Sequence, residues 1–154
     1  LFPEKTMLIR LVIFVVAVSF SGVSYAGDSD RFSKQLTFQT GQTLLIAEGE
    51  REARSIGSFS VRLYDAGAKG DETTFFLDGL IMARDGAIET ATLADINGDQ
   101  LSELIVISRT VGSGSYLSAY AFSIADNRLE SIHELNGMQP DTDPVNALRK
   151  ACCR

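Results

Sequence analysis

Cysteine is almost absent from this sequence of 154 residues, and both cysteines, Cys152 and Cys153, lie at its C-terminal end. Adjacent cysteines rarely bridge each other, because a disulfide requires particular Cα and Cβ separations. The body of the chain therefore has no disulfide to stabilise it, and its stability must come from a hydrophobic core. We expect the two cysteines to lie in a frayed terminal segment without a functional role.

Catalytic signatures are also missing from the sequence. Its one histidine, His133, lies at a predicted strand position among Ile132, Glu134 and Leu135. There is no Gly-x-Ser-x-Gly nucleophile elbow, no His-Glu-x-x-His zinc motif and no Walker glycine loop. Two carboxylates suited to glycoside chemistry could still meet in space, but no residue can be given a catalytic role. We therefore expect a protein without enzymatic activity and without a cofactor.

Long apolar runs are confined to the N-terminal region. From Met7 the chain reads Met-Leu-Ile-Arg, continues with an apolar run over residues 11–18 and reaches Ser24-Tyr25-Ala26. A short positive start, an apolar centre and a small-x-small end form the layout of a secretory signal peptide. The run is short for a membrane span of about 20 residues and lacks a basic stop-transfer flank. We expect a non-native leader at residues 1–6, a cleaved signal peptide at residues 7–26 and one exported domain at residues 27–154 that leaves the membrane.

Basic residues are scarce in the expected mature domain. Residues 1–26 include Glu4, Lys5 and Arg10, so residues 27–154 hold 12 basic and 19 acidic side chains, a net charge of −7. Nucleic acid is an unfavourable partner for such a surface, because its phosphates require neutralisation by Lys and Arg. The acidic surface either favours the approach of a basic partner or only keeps the domain soluble.

Alternation of apolar and polar residues predicts a β-rich domain. Phe59 to Tyr64 alternate with period two, and the strongest strand runs are residues 104–111 and 116–124. About eight short strands, separated by Gly, Asp and Asn, are typical of an antiparallel sandwich or barrel. Asp85-Gly86 is predicted to form a hairpin turn, because Gly supplies a positive φ. The other predicted strands lie near Leu36 and Phe38 and at residues 43–47, 73–77 with 80–83, 88–93 and 129–135.

One short helix is predicted near the C-terminal end. Asp143-Pro144 combines an N-cap residue with a proline at the first helical position. Residues 145–150 are therefore expected to be helical, and the predicted fold is all-β with this one helix.

The acidic segment Asp95-Ile96-Asn97-Gly98-Asp99-Gln100-Leu101-Ser102-Glu103 resembles a calcium-binding loop. Asp95, Asn97, Asp99 and Glu103 place oxygen ligands at positions 1, 3, 5 and 9 of such a loop. An EF-hand also needs Gly at position 6 and a bidentate Glu at position 12, and this sequence has neither. The incomplete ligand set favours a turn whose Asx side chains cap the backbone. A calcium-stabilised module that binds glycan or cell-wall material is the alternative function.

A loop of small residues, Val111-Gly112-Ser113-Gly114-Ser115-Tyr116, joins the two strongest strand runs. Its glycines let the backbone turn sharply, and the hydroxyls of Ser113 and Tyr116 can both donate and accept hydrogen bonds. Tyrosine also offers a large contact area at low entropy cost, as at many interfaces. From this chemistry alone, a binding loop and a flexible hairpin connection are equally good interpretations.

Several separated blocks between Thr43 and Leu135 resemble the family of periplasmic inhibitors of i-type (invertebrate) lysozyme. Two of them are Arg54-Ser55-Ile56-Gly57-Ser58-Phe59-Ser60-Val61-Arg62-Leu63-Tyr64 and Ala94-Asp95-Ile96-Asn97-Gly98-Asp99. The best-matching block is Arg109-Thr110-Val111-Gly112-Ser113-Gly114-Ser115-Tyr116-Leu117-Ser118-Ala119-Tyr120-Ala121-Phe122.

The resemblance implies a β-sandwich, often a homodimer, in the periplasm of a Gram-negative bacterium. It also implies that the protein protects peptidoglycan from the lysozyme of an animal host. In that family a Ser-Gly-x-Tyr loop enters the active-site cleft of the lysozyme. The corresponding residues of this sequence are Ser113, Gly114, Ser115 and Tyr116.

Overall fold

The computed structural model describes residues 30–68 and 75–152 of the chain. The predicted leader, the predicted signal peptide and Cys153 lie outside these residues, as do Thr73 and Thr74 of one predicted strand. The described part forms an all-β sandwich with one short C-terminal helix, as predicted. No helix within it is long and apolar enough to cross a membrane. The elements are β1 (Ser33–Thr37), β2 (Thr43–Glu48), β3 (Ile56–Tyr64), β4 (Phe76–Asp85), β5 (Ala87–Ala94), β6 (Glu103–Arg109), β7 (Leu117–Ala125), β8 (Arg128–Met138) and α1 (Pro144–Cys152).

The strands form two four-stranded sheets, and each sheet is an antiparallel meander. Sheet A contains β1 to β4 and sheet B contains β5 to β8, with each strand hydrogen-bonded to its sequence neighbours in the sheet. Successive side chains of a strand point to opposite faces of the sheet. The alternation predicted in β3 follows this rule, because Phe59, Val61 and Leu63 are buried while Arg62 is exposed.

The main hydrophobic core lies between the two sheets. The ring of Phe59 in β3 packs edge-on against Tyr120 and Phe122 in β7, with ring centroids 5.0 and 6.2 Å apart. Aromatic pairs prefer this edge-to-face arrangement over a face-to-face stack. The core is completed by aliphatic and aromatic side chains of both sheets, namely Phe38, Leu44, Ile46, Val61, Leu63, Ile88, Ala91, Leu104, Val106 and Leu129.

A second cluster covers the other face of sheet B, where α1 packs. Leu148 of α1 is fully buried in this cluster with Ile105 and Ile107 of β6 and Ala119 and Ala121 of β7. The middle strands β6 and β7 are therefore buried on both faces. Burial on both faces explains why their sequences are nearly continuous apolar runs instead of alternating ones.

Helix α1 begins at the predicted cap. The Oδ1 atom of Asp143 accepts a hydrogen bond from the Asn146 amide at 3.1 Å, and Pro144 is the first helical residue. The helix continues beyond the predicted residue 150 and ends at Cys152. Cys152 was expected in a frayed segment, but it is half-buried and packs against the cluster under α1.

The predicted hairpin at Asp85-Gly86 is wrong, because this turn carries the chain from β4 in sheet A to β5 in sheet B. Gly86 has a φ of +81°, and its amide donates to the Ser55 carbonyl at 2.8 Å. A Cβ atom at this position would collide with the Arg109 carbonyl and lie 2.6 Å from Thr110 Cα. Glycine is therefore required here for both its conformation and its close approach to the end of β6.

A buried ion pair lies at this crossing between the sheets. The fully buried carboxylate of Glu48 accepts a hydrogen bond from the Ile88 amide at 2.6 Å. Arg84 is 2% exposed, lies 3.8 Å from Glu48 and donates to the carbonyls of Ser58, at 3.1 Å, and Gly86. Both charges are thus paired and hydrogen-bonded, as buried charges must be. The pair connects β2 and β4 of sheet A to the start of β5.

Candidate functional site

The predicted binding segment lies in the connection between β6 and β7, residues 110–116, here named the β6–β7 loop. Because β6 ends at Arg109 and β7 begins at Leu117, the loop contains the whole predicted segment from Val111 to Tyr116 and also Thr110. The Thr110 amide donates to the Tyr116 carbonyl at 2.9 Å and closes the base of the loop. Since both flanking strands are buried on both faces, the loop extends from a well-packed part of the domain.

Ser113 and Tyr116 are both exposed on the β6–β7 loop, and 43% of Tyr116 is accessible to solvent. The Tyr116 ring lies against Gly114, where an added Cβ atom would be 2.6 Å from the ring Cδ2 and still closer to Cε2. Ser115 has a φ of +46°, in the left-handed region that residues other than glycine rarely adopt. The structure therefore presents two hydroxyl groups on a narrow loop, and both are available to a partner.

Arg109, the last residue of β6, connects this loop to β5. Its Nη1 donates to the Ser115 carbonyl at 3.1 Å. Its Nε and Nη2 donate to the two carboxylate oxygens of Glu89 at 2.5 and 3.1 Å, and these bonds raise the pKa of Arg109. The register of β5 on β6 shifts between Ile88 and Thr90, so Glu89 is the extra residue of a β-bulge. Bulges commonly re-aim a side chain near a functional site.

Sequence reasoning assigned no role to Arg109 or Glu89. Glu89 lies near the start of β5 and Arg109 at the end of β6, so the two residues are distant in sequence. They come into contact only because of the β5–β6 register and its bulge. No local pattern of apolar or polar residues encodes that register shift. A charged residue at the end of a strand that precedes a small-residue loop is the one signal that points to Arg109.

A cleft of about 480 Å³ adjoins Tyr116 and is bordered by β4 on one side and by β7 and β8 on the other. Tyr120 lies in its wall, and burial raises the pKa of the Tyr120 hydroxyl. Sequence reasoning missed this cleft, because its residues come from distant parts of the chain. The other lining side chains include Ile56, Arg84, Ser118, Glu134 and Asn136.

The acidic segment at residues 95–103 connects β5 to β6 at the opposite end of sheet B. Asp95 accepts hydrogen bonds from the Gly98 and Gln100 amides at 2.6 and 3.0 Å, and the Gly98 bond is the main reason that the pKa of Asp95 is lowered. Asp99 and Glu103 likewise accept backbone amide hydrogen bonds of the segment, from Leu101 at 2.7 Å and Ile96 at 2.9 Å.

This geometry supports the Asx-capped turn more than the calcium loop. The side-chain amide of Asn97 donates hydrogen bonds from Nδ2 to the carboxylates of Asp99 and Glu103 at 3.0 and 2.9 Å. Both carboxylates are therefore engaged within the segment. Across residues 30–68 and 75–152, no group of three or more His, Cys, Asp and Glu side chains is arranged to hold a metal ion.

His133 occupies a strand position, as predicted from its neighbours. It is half-buried in β8 and lies opposite Ala121 of β7.

Comparison with known proteins identifies relatives that share both sequence and fold with this chain. Residues 30–152 match a family described as periplasmic lysozyme inhibitor of I-type lysozyme. One relative of known crystal structure is PliI-Ah, the periplasmic inhibitor of I-type lysozyme from Aeromonas hydrophila, whose sequence is 42% identical to this chain. The two structures superpose with a TM-score of 0.72, and the match covers 76% of this chain and 98% of PliI-Ah. A second match is the crystal structure of Aeromonas hydrophila PliI in complex with Meretrix lusoria lysozyme, whose inhibitor chain is 42% identical to this chain with a TM-score of 0.71. This match covers 77% of this chain and 95% of that inhibitor chain. No sequence among curated proteins matches the chain.

Proposed function

This chain belongs to the family of periplasmic inhibitors of I-type lysozyme, and from that membership we propose that its Ser113-Gly114-Ser115-Tyr116 segment enters the active-site cleft of such a lysozyme. The observation that carries the proposal is the β6–β7 loop, in which Ser113 and Tyr116 lie three residues apart and are both exposed. The lysozyme complex of the Aeromonas hydrophila relative supports an I-type lysozyme as the partner. The chain is an inhibitor and not an enzyme, in agreement with its lack of catalytic motifs.

The chemistry of the loop suits a lysozyme active site. Glycoside hydrolases of this kind use two carboxyl groups that flank the scissile bond. The Ser113 and Tyr116 hydroxyls can donate hydrogen bonds to these groups and so exclude the sugar and the attacking water. Each hydrogen bond to a charged group contributes about 1.5–3 kcal/mol. Because Gly114 lets the Tyr116 ring lie against the backbone, the tip of the loop stays narrow enough for a cleft.

The charge and the predicted export of the chain support the same function. The expected mature domain carries a net charge of −7, counted over residues 27–154. Such a surface accelerates the approach of a basic lysozyme, and this effect weakens as salt is added. The family is periplasmic, and a signal peptide at residues 7–26 would deliver the chain to the periplasm, where peptidoglycan needs protection from a host lysozyme.

Lysis of a peptidoglycan suspension tests the proposed function directly. I-type, c-type and g-type lysozymes are assayed with and without the purified domain of residues 27–154. We expect stoichiometric loss of I-type activity, with a weaker effect or none on the other two classes. Full I-type activity in the presence of excess folded protein would contradict the proposal.

Loop variants then test the mechanism of inhibition. Ser113→Ala combined with Tyr116→Phe removes both hydroxyls and keeps the tyrosine ring. The loss of two hydrogen bonds to charged groups should weaken inhibition by on the order of a hundredfold or more. Replacing Tyr116 with Ala in the same background should weaken it further, because contact area is lost as well.

The matched control for this pair is Ser60→Ala combined with Tyr64→Phe. Both residues lie in β3 of sheet A, whereas the β6–β7 loop joins two strands of sheet B. Like the loop variant, the control removes one serine and one tyrosine hydroxyl, but it should leave inhibition unchanged. Equal inhibition by the loop variant and the control, with both folded, would rule out insertion of these hydroxyls.

We also propose that the signal peptide is cleaved after Ala26. Intact mass spectrometry of periplasmic protein should then give Gly27 as the first residue.

We further propose that the mature domain forms a homodimer through the outer face of sheet A. Phe75 just before β4, Phe76 at its first position and Ile81 within it are 75%, 59% and 78% exposed. Phe76 and Ile81 line an open groove of about 500 Å³. Exposed apolar patches of this kind commonly mark interfaces. Native mass spectrometry of the periplasmic protein should give a dimer, and the Ile81→Glu variant should give a monomer. A monomer at micromolar concentration would contradict the pairing.

A further inference from the structure

We infer that Arg109, held in place by Glu89, is a positioning residue that keeps the β6–β7 loop of the free protein in its binding conformation, before a lysozyme binds. The inference rests on the proposed function of this loop as the inhibitory segment. It assigns a role to two residues outside the Ser-Gly-x-Tyr segment. Neither residue needs to contact the lysozyme for this role.

The guanidinium group of Arg109 divides its donors between two neighbours. Nε and Nη2 bind both carboxylate oxygens of Glu89, and Nη1 binds the Ser115 carbonyl at 3.1 Å. A planar guanidinium can make these bonds together, because its donors form a rigid fork. A lysine ammonium has the same charge, but it is a point donor without this fork and cannot reproduce the arrangement.

The bond to Ser115 acts at the most constrained point of the loop. Ser115 has a φ of +46°, a conformation that costs free energy for a residue with a side chain. Its carbonyl belongs to the peptide unit that leads into Tyr116, so a fixed carbonyl also fixes the direction from which the Tyr116 side chain projects. The second tie, from the Thr110 amide to the Tyr116 carbonyl, closes the same end of the loop.

The Arg109–Glu89 pair is too exposed to be explained by global stability. The side chains of Arg109 and Glu89 are 35% and 45% accessible to solvent. Exposed ion pairs contribute little to the stability of a folded domain. Ala87 is the register partner of Arg109, and the bulge at Glu89 brings the Glu89 carboxylate within hydrogen-bonding distance of Arg109. This arrangement is therefore better explained by the local order that the pair gives to the loop.

A positioning role predicts a particular kinetic signature. If the free loop samples other conformations, only the fraction in the binding conformation can associate, and the apparent affinity falls by that fraction. The loss should therefore appear mainly in the association rate. A residue that contacts the lysozyme directly would change the dissociation rate instead, as most interface substitutions do.

Arg109→Lys and Glu89→Gln test the inference, each as a single variant and combined. We expect each single variant to bind an I-type lysozyme about tenfold more weakly, as for one lost charge-assisted hydrogen bond. The double variant should be little worse than either single one, because the two residues act as one unit. The control is Arg128→Lys, the same change at an exposed residue at the far end of sheet B, which should bind normally.

Hydrogen exchange in the free protein gives a readout that does not depend on the lysozyme. The Thr110 amide, which donates to Tyr116, should exchange faster in Arg109→Lys and in Glu89→Gln than in the parent protein. The Val106 amide in the middle of β6 should exchange at the parent rate, since the strand itself is unaffected. If the parent protein fails to inhibit any lysozyme, the proposed function fails, and this measurement still decides whether Arg109 orders the loop.

Two results would overturn the inference. The first is parent-like exchange at Thr110 in both single variants. The second is weaker binding by Arg109→Lys together with equal or tighter binding by Glu89→Gln, because that pattern means that Arg109 contacts the lysozyme directly.

Discussion

Gly112 and Gly114 lie two residues apart in the β6–β7 loop, but their surroundings differ. Nothing lies within 4 Å of a Cβ atom built at Gly112, whereas one built at Gly114 collides with the Tyr116 ring. We predict that Gly114→Ala displaces this ring and weakens inhibition by on the order of ten- to a hundredfold, as the loss of a tyrosine hot spot does. Inhibition constants for I-type lysozyme, measured on the purified variant, provide the test.

Gly112→Ala is the matched control for this prediction. The added methyl group has open space, so both inhibition and melting temperature should stay at the parent values. Gly114→Ala should also melt near the parent temperature, because the clash can be relieved by rotation of an exposed side chain. If the two alanine variants inhibit equally well, the contact between Gly114 and Tyr116 has no part in binding.

Individual elements differ in how much of their structure can be predicted from sequence. Strand β3 has one buried face, so its period-two alternation was sufficient to identify it. Strands β6 and β7 were identified from apolar runs, but the sequence did not reveal that α1 covers their second face. The helix itself could be predicted, because its cap is local and Asp143 bonds the Asn146 amide as expected.

Features that depend on contacts between distant elements could not be predicted in this way. A glycine with positive φ suits both a hairpin and a crossing between sheets, so Asp85-Gly86 identified the turn but not the strand that follows it. The chemistry of the β6–β7 loop suits a binding loop and a flexible connection equally well, and only its resemblance to a known family favours a binding loop. The contact between Glu89 and Arg109 depends on a bulge that no local pattern records.

The stability of the whole domain in acid should depend on carboxylates that accept backbone hydrogen bonds. Asp78 of β4 accepts the Leu129 amide of β8 at 2.9 Å and so connects sheet A to sheet B. This bond is the main reason that the pKa of Asp78 is lowered. Glu52 and Asp95 also have lowered pKa values, chiefly because of hydrogen bonds from the amides of Ser58 and Gly98.

A carboxyl group whose pKa is lower in the folded state binds fewer protons there than in the unfolded chain. Its contribution to stability is therefore fully present above its ordinary pKa of about 4 and is lost as the pH falls through the folded value. We predict a melting temperature that is nearly constant from about pH 7 to 5 and falls steeply below about pH 4. Asp78→Asn should have a lower melting temperature than the parent protein at pH 7, because the hydrogen bond to a charged carboxylate is lost. Its melting temperature should also fall less steeply in acid, because the variant lacks this titrating carboxyl group between the sheets. Scanning calorimetry of both proteins across this range measures the two slopes, and equal slopes below pH 4 would show that Asp78 does not contribute to the acid sensitivity of the domain.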